Sequence, residues 1–120
     1  MAVNYKVGDI SKRPWGMWEA VDVGSDYAIK RITVNPHQKL SLQSHEFRSE
    51  HLIVISGTGL VTLDEKNMNV FPNQHVSIKP HQKHRITNET DLPVVVIEVQ
   101  TGDTLDENDI RRYADDYGRV

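Results

Sequence analysis

Hydrophobic and polar positions alternate in short runs along most of this chain, the period-two signature of half-buried β-strands. The runs lie at 27–34, 40–45, 51–56, 59–63, 67–71, 75–78, 84–88 and 94–101, and most are rich in β-branched residues. Turn-forming residues separate them: Asn35-Pro36, Ser56-Gly57-Thr58-Gly59, Asp64-Glu65-Lys66-Asn67, Pro72-Asn73, Lys79-Pro80-His81 and Asn88-Glu89-Thr90-Asp91. Such residues supply a fixed or positive φ, or a side chain that bonds its own backbone. Many short strands at this pitch predict an all-β sandwich or closed barrel of the jelly-roll kind. The segment before residue 27, with Lys12-Arg13-Pro14-Trp15-Gly16, reads as an irregular arm. Residues 106–115 read as a short C-terminal helix, with acidic residues early and Arg111-Arg112 late, as the helix dipole favours.

Alternation also assigns faces. Ser41, Gln43 and His45 share one side of their strand, and Leu40 and Leu42 the other. Lys30 falls on the face of Ala28, Ile32 and Val34, and Glu98 on that of Val94, Val96 and Gln100. A charge on a core face is expensive unless it is paired, coordinated or turned into a polar cavity. Lys30 and Glu98 are therefore candidate functional residues, with a salt bridge across the barrel as the alternative. Gln43-x-His45-x4-Glu50, answered by His84 at the start of a later strand, adds an amide, two imidazoles and a carboxylate. That donor set suits a divalent first-row metal rather than a thiolate site. Each residue alone has an ordinary reading as a strand or surface side chain. Their shared direction is what makes them a candidate centre.

Bulk properties narrow the rest. A chain of 120 residues with 38% hydrophobic content supports one globular domain, its core at about 27–101. Net charge is −3 with no basic stripe interleaved with aromatics, so nucleic acid is not an expected partner. The chain has no cysteine, which excludes disulfides and Cys-based metal sites. No stretch approaches the ~18 apolar residues of a membrane span, and the N-terminus lacks an apolar signal region. A cytoplasmic protein without membrane contact is the expectation. Trp15 and Trp18 read as packing of the arm over the barrel, with sugar stacking as the alternative, and His37, His75 and His81 read as surface or turn residues.

The stretch from Pro36 to Gly57, with Gln43-x-His45-x4-Glu50-x6-Gly57, resembles the first cupin motif, and His84-x3-Asn88 the second. Arg13-Pro14-Trp15-Gly16, Lys30-Arg31-Ile32-Thr33-Val34-Asn35-Pro36, Arg48, Ile97-Glu98-Val99-Gln100-Thr101-Gly102, Glu107-x-Asp109-Ile110-x-Arg112 and Asp116-Tyr117-Gly118-Arg119 extend the match. Nearly the whole chain is similar to type II mannose-6-phosphate isomerases, whose cupin domain is often fused behind a mannose-1-phosphate guanylyltransferase. The resemblance implies a jelly-roll barrel holding a divalent metal on Gln43, His45, Glu50 and His84. Zinc is the first expectation, with manganese, cobalt, nickel and iron as alternatives. It further implies interconversion of mannose 6-phosphate and fructose 6-phosphate, and a homodimer by analogy with other small cupins.

Within that reading Lys30 and Glu98 handle protons, and Arg48, Arg85 and Arg119 bind phosphate through guanidinium–oxyanion pairs. No Gly-rich nucleotide loop occurs at a strand-to-helix turn, so nucleotidyl transfer is not expected. Two departures affect the pocket rim: His81 stands where the family usually has Gly, and Glu46-Phe47 replaces a His-rich run. The rival readings are a non-catalytic metal- or sugar-binding cupin and a cupin enzyme acting on another substrate.

Overall fold

The computed structural model describes the backbone of Ala2 and Val3 and residues 5–116. The strands are β1 (Ala2–Val3), β2 (Ile10–Arg13), β3 (Gly16–Val23), β4 (Tyr27–Val34), β5 (Leu42–Ser44), β6 (Ser49–Ser56) and β7 (Gly59–Leu63). They continue with β8 (Lys66–Val70), β9 (His75–Ile78), β10 (His84–Thr87), β11 (Val94–Thr101), β12 (Thr104–Leu105) and β13 (Arg111–Ala114). Two antiparallel sheets carry the fold: one runs β2-β3-β4-β11-β6-β9, the other β13-β5-β10-β7-β8. A short parallel pair, β1-β12, ties the N-terminus to the segment after β11. This is an all-β cupin-type jelly roll.

β11 lies in the middle of the larger sheet, with Val96 opposite Ile32 on one side and Val54 on the other. Its inward positions, Val94, Val96, Glu98 and Gln100, are all buried, as are Ala28, Lys30, Ile32 and Val34 on β4. Following these rows along the strands shows how the interior is graded. At one end Val34, Val94, Val96, Val54, Val61 and Ile86 pack together, with the buried Asn88 amide donating to the Val34 and Leu92 carbonyls. At the other end the register sets Lys30 beside Glu98, and Gln100 beside Glu50. One end of the barrel stabilises; the other carries polar groups.

Two expectations are corrected. The N-terminal arm is not irregular: β2 and β3 form a hairpin closed by Pro14 and Trp15, with Arg13 opposite Gly16. The hairpin buries Trp15, Trp18 and Ala20 against the barrel. No helix forms at 106–115, nor anywhere else among the described residues. Asp106 accepts bonds from the backbone N–H of Asn108 through its side chain and of Asp109 through its carbonyl, which makes a turn. The chain then pairs as β13 with β5, Arg112 opposite Gln43. Pairing with a distant strand outweighs the local charge pattern that favoured a helix.

Candidate active site and metal centre

His45, at the end of β5, Glu50 on β6 and His84 on β10 converge at the polar end of the barrel. Their ligand atoms lie within 4.8 Å of one another, and all three residues are buried. His45 Nε2 is 3.3 Å from Glu50 Oε2, and His84 Nε2 is 3.2 Å from Glu50 Oε1. The outer nitrogens fix the tautomers. His45 Nδ1 donates to the Asp109 carbonyl at 2.6 Å and His84 Nδ1 to the Gln82 carbonyl at 3.0 Å. A carbonyl can only accept, so each neutral ring turns a bare Nε2 towards the centre. His84 Nε2 is buried and makes no well-directed hydrogen bond. An orphaned imidazole nitrogen beside a carboxylate and a second imidazole fits a divalent cation.

Electrostatics agree with that reading. Burial acts to raise the Glu50 carboxyl, but Arg48 and the two histidines outweigh it and hold it well below the usual carboxylate range. Burial lowers His45 to about 4, which keeps its ring neutral and able to coordinate. For His84 burial also opposes charge, yet the adjacent Glu50 prevails and raises its affinity for a proton. The same field favours a metal ion in that place.

Arg48 links this centre to a neighbouring cleft. Its Nε donates to Glu50 Oε2 at 2.8 Å, one Nη to His45 Nε2 at 3.1 Å and the other to the Tyr5 hydroxyl at 3.4 Å. The cleft wall includes Arg48 together with Lys30, Glu98, Gln43, Trp15 and Trp18. None of His45, Glu50 and His84 lines it directly. Lys30 is buried with Nζ 3.9 Å from the ring centres of both Tyr5 and Trp18, and no ion pair joins it to Glu98. Burial pulls the ammonium down to about 8, against the opposing charge of Glu98. Burial, then the Glu50 charge, raises Glu98. Gln100 Nε2 donates to Glu98 Oε1 at 2.5 Å.

The expected residues are thus distributed unevenly. Gln43, on β5, lines the cleft, and its strand neighbour β10 carries His84 opposite it. The shared face with Ser41 and Gln43 does not continue regularly to His45, because Ser44 and His45 are both buried in succession. Arg48 is committed to Glu50 and His45. Arg85 donates to the Leu40 and Ala114 carbonyls and is not part of the cleft wall. Arg119 lies outside the described residues.

Four contributors escaped the reading of spacing. Tyr5 sits edge-on to Trp18, with ring centres 5.7 Å apart, and shares its contact with Lys30. Asp109 accepts the backbone N–H groups of Glu46 and Phe47 on its carboxylate while its carbonyl orients His45. Gln100 supports Glu98. His81 adopts a left-handed φ of 72° and donates its N–H to the His45 carbonyl at 2.8 Å. Asp109 and Gln100 carried a prior signal within Glu107-x-Asp109-Ile110-x-Arg112 and Ile97-Glu98-Val99-Gln100-Thr101-Gly102, and His81 as a departure at the rim; Tyr5 carried none.

A sequence profile described as mannose-6-phosphate isomerase C-terminal matches residues 3–115. The chain belongs to this family. Among curated relatives of this isomerase-family domain, the alginate biosynthesis protein AlgA of Pseudomonas aeruginosa is 47% identical over 108 residues. That alignment covers 90% of this chain and 22% of the relative. The mannose-1-phosphate guanylyltransferase of Escherichia coli is 42% identical over 108 residues, again 90% of this chain and 23% of the relative. The domain therefore spans less than a quarter of either relative. In fold it is similar to a double-stranded β-helix protein from Klebsiella pneumoniae, with a TM-score of 0.71 at 17% identity, covering 94% of this chain and 90% of that one.

Proposed function

We propose that this chain is a metal-dependent aldose–ketose isomerase interconverting mannose 6-phosphate and fructose 6-phosphate. The observation that carries the reading is the adjacency of a His45–Glu50–His84 cluster to a cleft in which Lys30 and Glu98 are buried side by side. Membership of the isomerase family supplies the substrate class.

Isomerisation moves a proton between neighbouring carbons through an enediol, so a base near neutral pH and an electrophile at the oxygens are both required. Glu98, raised by burial, takes the carbon-bound proton and returns it to the neighbouring carbon. Lys30 faces the same space and shuttles the proton between the two oxygens. Arg48 holds Glu50 ionised and aligned. His45, Glu50 and His84, with Gln43 as the fourth donor, would hold a divalent ion, zinc first, that polarises the sugar carbonyl when bound. Tyr5 stays a neutral phenol, since burial raises it to about 12. It walls the Lys30 side of the cleft from solvent.

A coupled assay from mannose 6-phosphate to fructose 6-phosphate, run with and without chelator, tests the proposal. Turnover that disappears with chelator and returns with added metal is the expected result. Retained metal with no turnover would instead leave a binding module. Full metal content in His45→Ala and His84→Ala would remove these residues as ligands.

A further inference from the structure

The cleft is graded in exposure from floor to mouth. Lys30 and Glu98, at 4% and 7% exposed, form the floor, whereas the side chains of Arg13 and Glu107 retain 33% and 44%. Both of the latter line the cleft, and Arg13 Nη2 donates to Glu107 Oε1. Arg13 ends β2, the edge strand of the larger sheet, and Arg112 lies on β13, the edge strand of the smaller one. The cleft is thus lined by guanidinium groups from two different sheets, with a carboxylate already seated against that of Arg13 at its mouth.

Two further cations that line the cleft are committed to buried partners. Arg48 is held by Glu50 and His45, and Lys30 is packed between two aromatic rings. Neither can turn to an anion arriving at the mouth without leaving a buried partner uncompensated. Arg13 can, because its bond to Glu107 is partly solvated and worth little. A guanidinium prefers a phosphate dianion, with more charge and a matching fork of oxygens, to a single exposed carboxylate.

We propose that Arg13 and Arg112 form the seat for the phosphate of the substrate, and that Glu107 occupies that seat as an internal carboxylate which the phosphate displaces. The proposal rests on the isomerase reading for the identity of the phosphorylated ligand, but the anion seat stands on its own geometry. Glu107 then acts as a selectivity latch. A sugar lacking phosphate brings no dianion to replace Glu107 on Arg13, so the mouth favours phosphorylated sugars over free ones.

The test is titration of inorganic phosphate into the intact wild-type chain, E107Q, R13Q and R112Q at low ionic strength, followed by calorimetry. E107Q should bind phosphate about 2- to 5-fold more tightly than wild type, the strength of an exposed ion pair. R13Q should bind about 10- to 100-fold more weakly, through loss of a charge-assisted pair, and R112Q should also weaken binding. A fold defect cannot produce tighter binding, so the E107Q result separates a latch from a merely structural ion pair. Unchanged or weaker phosphate binding by E107Q, or unchanged binding by R13Q, would overturn the proposal. Measuring turnover on the same samples keeps the two readings apart. Ranked phosphate binding without isomerisation leaves the seat standing and removes the activity; isomerisation without the ranking does the reverse.

Discussion

Lys30 is the residue in which sequence and physics meet most directly. Its ordinary value of 10.5 is lowered to about 8 by burial. Between those two values the unfolded chain holds a proton that the folded chain has released, so stability rises as pH increases from about 8 to 10.5. The full span is on the order of 3 kcal/mol. Chemical denaturation of wild type and Lys30→Met across this range should show that rise only in the wild type. Parallel curves would mean that the ammonium stays charged between its two rings. For Glu98, replacement by Gln keeps the shape and removes the base. A fall in kcat of about 10²- to 10⁴-fold with a much smaller change in KM is expected from steady-state kinetics on mannose 6-phosphate. Both residues were visible from period-two counting alone, because a charge on a core face has few innocent explanations. Tyr5, Gln100 and Asp109 were not visible that way. They act through partners 43, 2 and 64 residues away, and two of those partnerships exist only after the sheets have closed.

At the scale of elements, turns decided where the site residues sit. Gly57 has φ 78°, and a Cβ there would lie 2.5 Å from the Pro93 carbonyl oxygen. Gly57→Ala should therefore cost on the order of 1–3 kcal/mol in thermal or chemical unfolding, although the residue lies at the aliphatic end and touches no ligand. His81 shows the opposite choice. It accepts the left-handed conformation that glycine adopts freely, and its N–H secures the carbonyl of His45, a member of the candidate metal cluster. A β-branched residue there, as in His81→Val, should lose about 1–3 kcal/mol and weaken metal retention, measured by metal content after dialysis. The strands were legible because each buries one face. The hairpin of β2 and β3 was not, since its Pro14-Trp15 turn resembles a loop until Trp18 and Ala20 find the barrel. The tail was misread for a related reason: its charge order suits a helix, but β5 offers an unpaired edge.

For the whole molecule, the jelly roll divides its interior between a largely aliphatic end and a polar end where several ionisable groups are buried together. Arg48 already balances Glu50 there, but the buried His84 Nε2 is left without a hydrogen-bond partner, a place that a bound cation would fill. Chelation should lower the midpoint of thermal unfolding, and restoring a divalent metal should recover it in proportion to ln(1 + [metal]/Kd). A midpoint indifferent to chelator would mean that the Arg48–Glu50 pair balances the cluster unaided. The family relationship gives this cluster its chemical context, and in the curated relatives the matching region is less than a quarter of a longer chain.

The central position of β11 has a consequence in time rather than in space. Its backbone amides are laddered on both sides, so they should be among the slowest to exchange with deuterium, and Glu98 is carried on that strand. Arg13 and Arg112 are carried on strands with one open side each, where exchange should be faster by orders of magnitude. The floor that carries Glu98 is thereby expected to keep a fixed geometry, while the strands of Arg13 and Arg112 should open many times during the lifetime of a single closed β11 ladder.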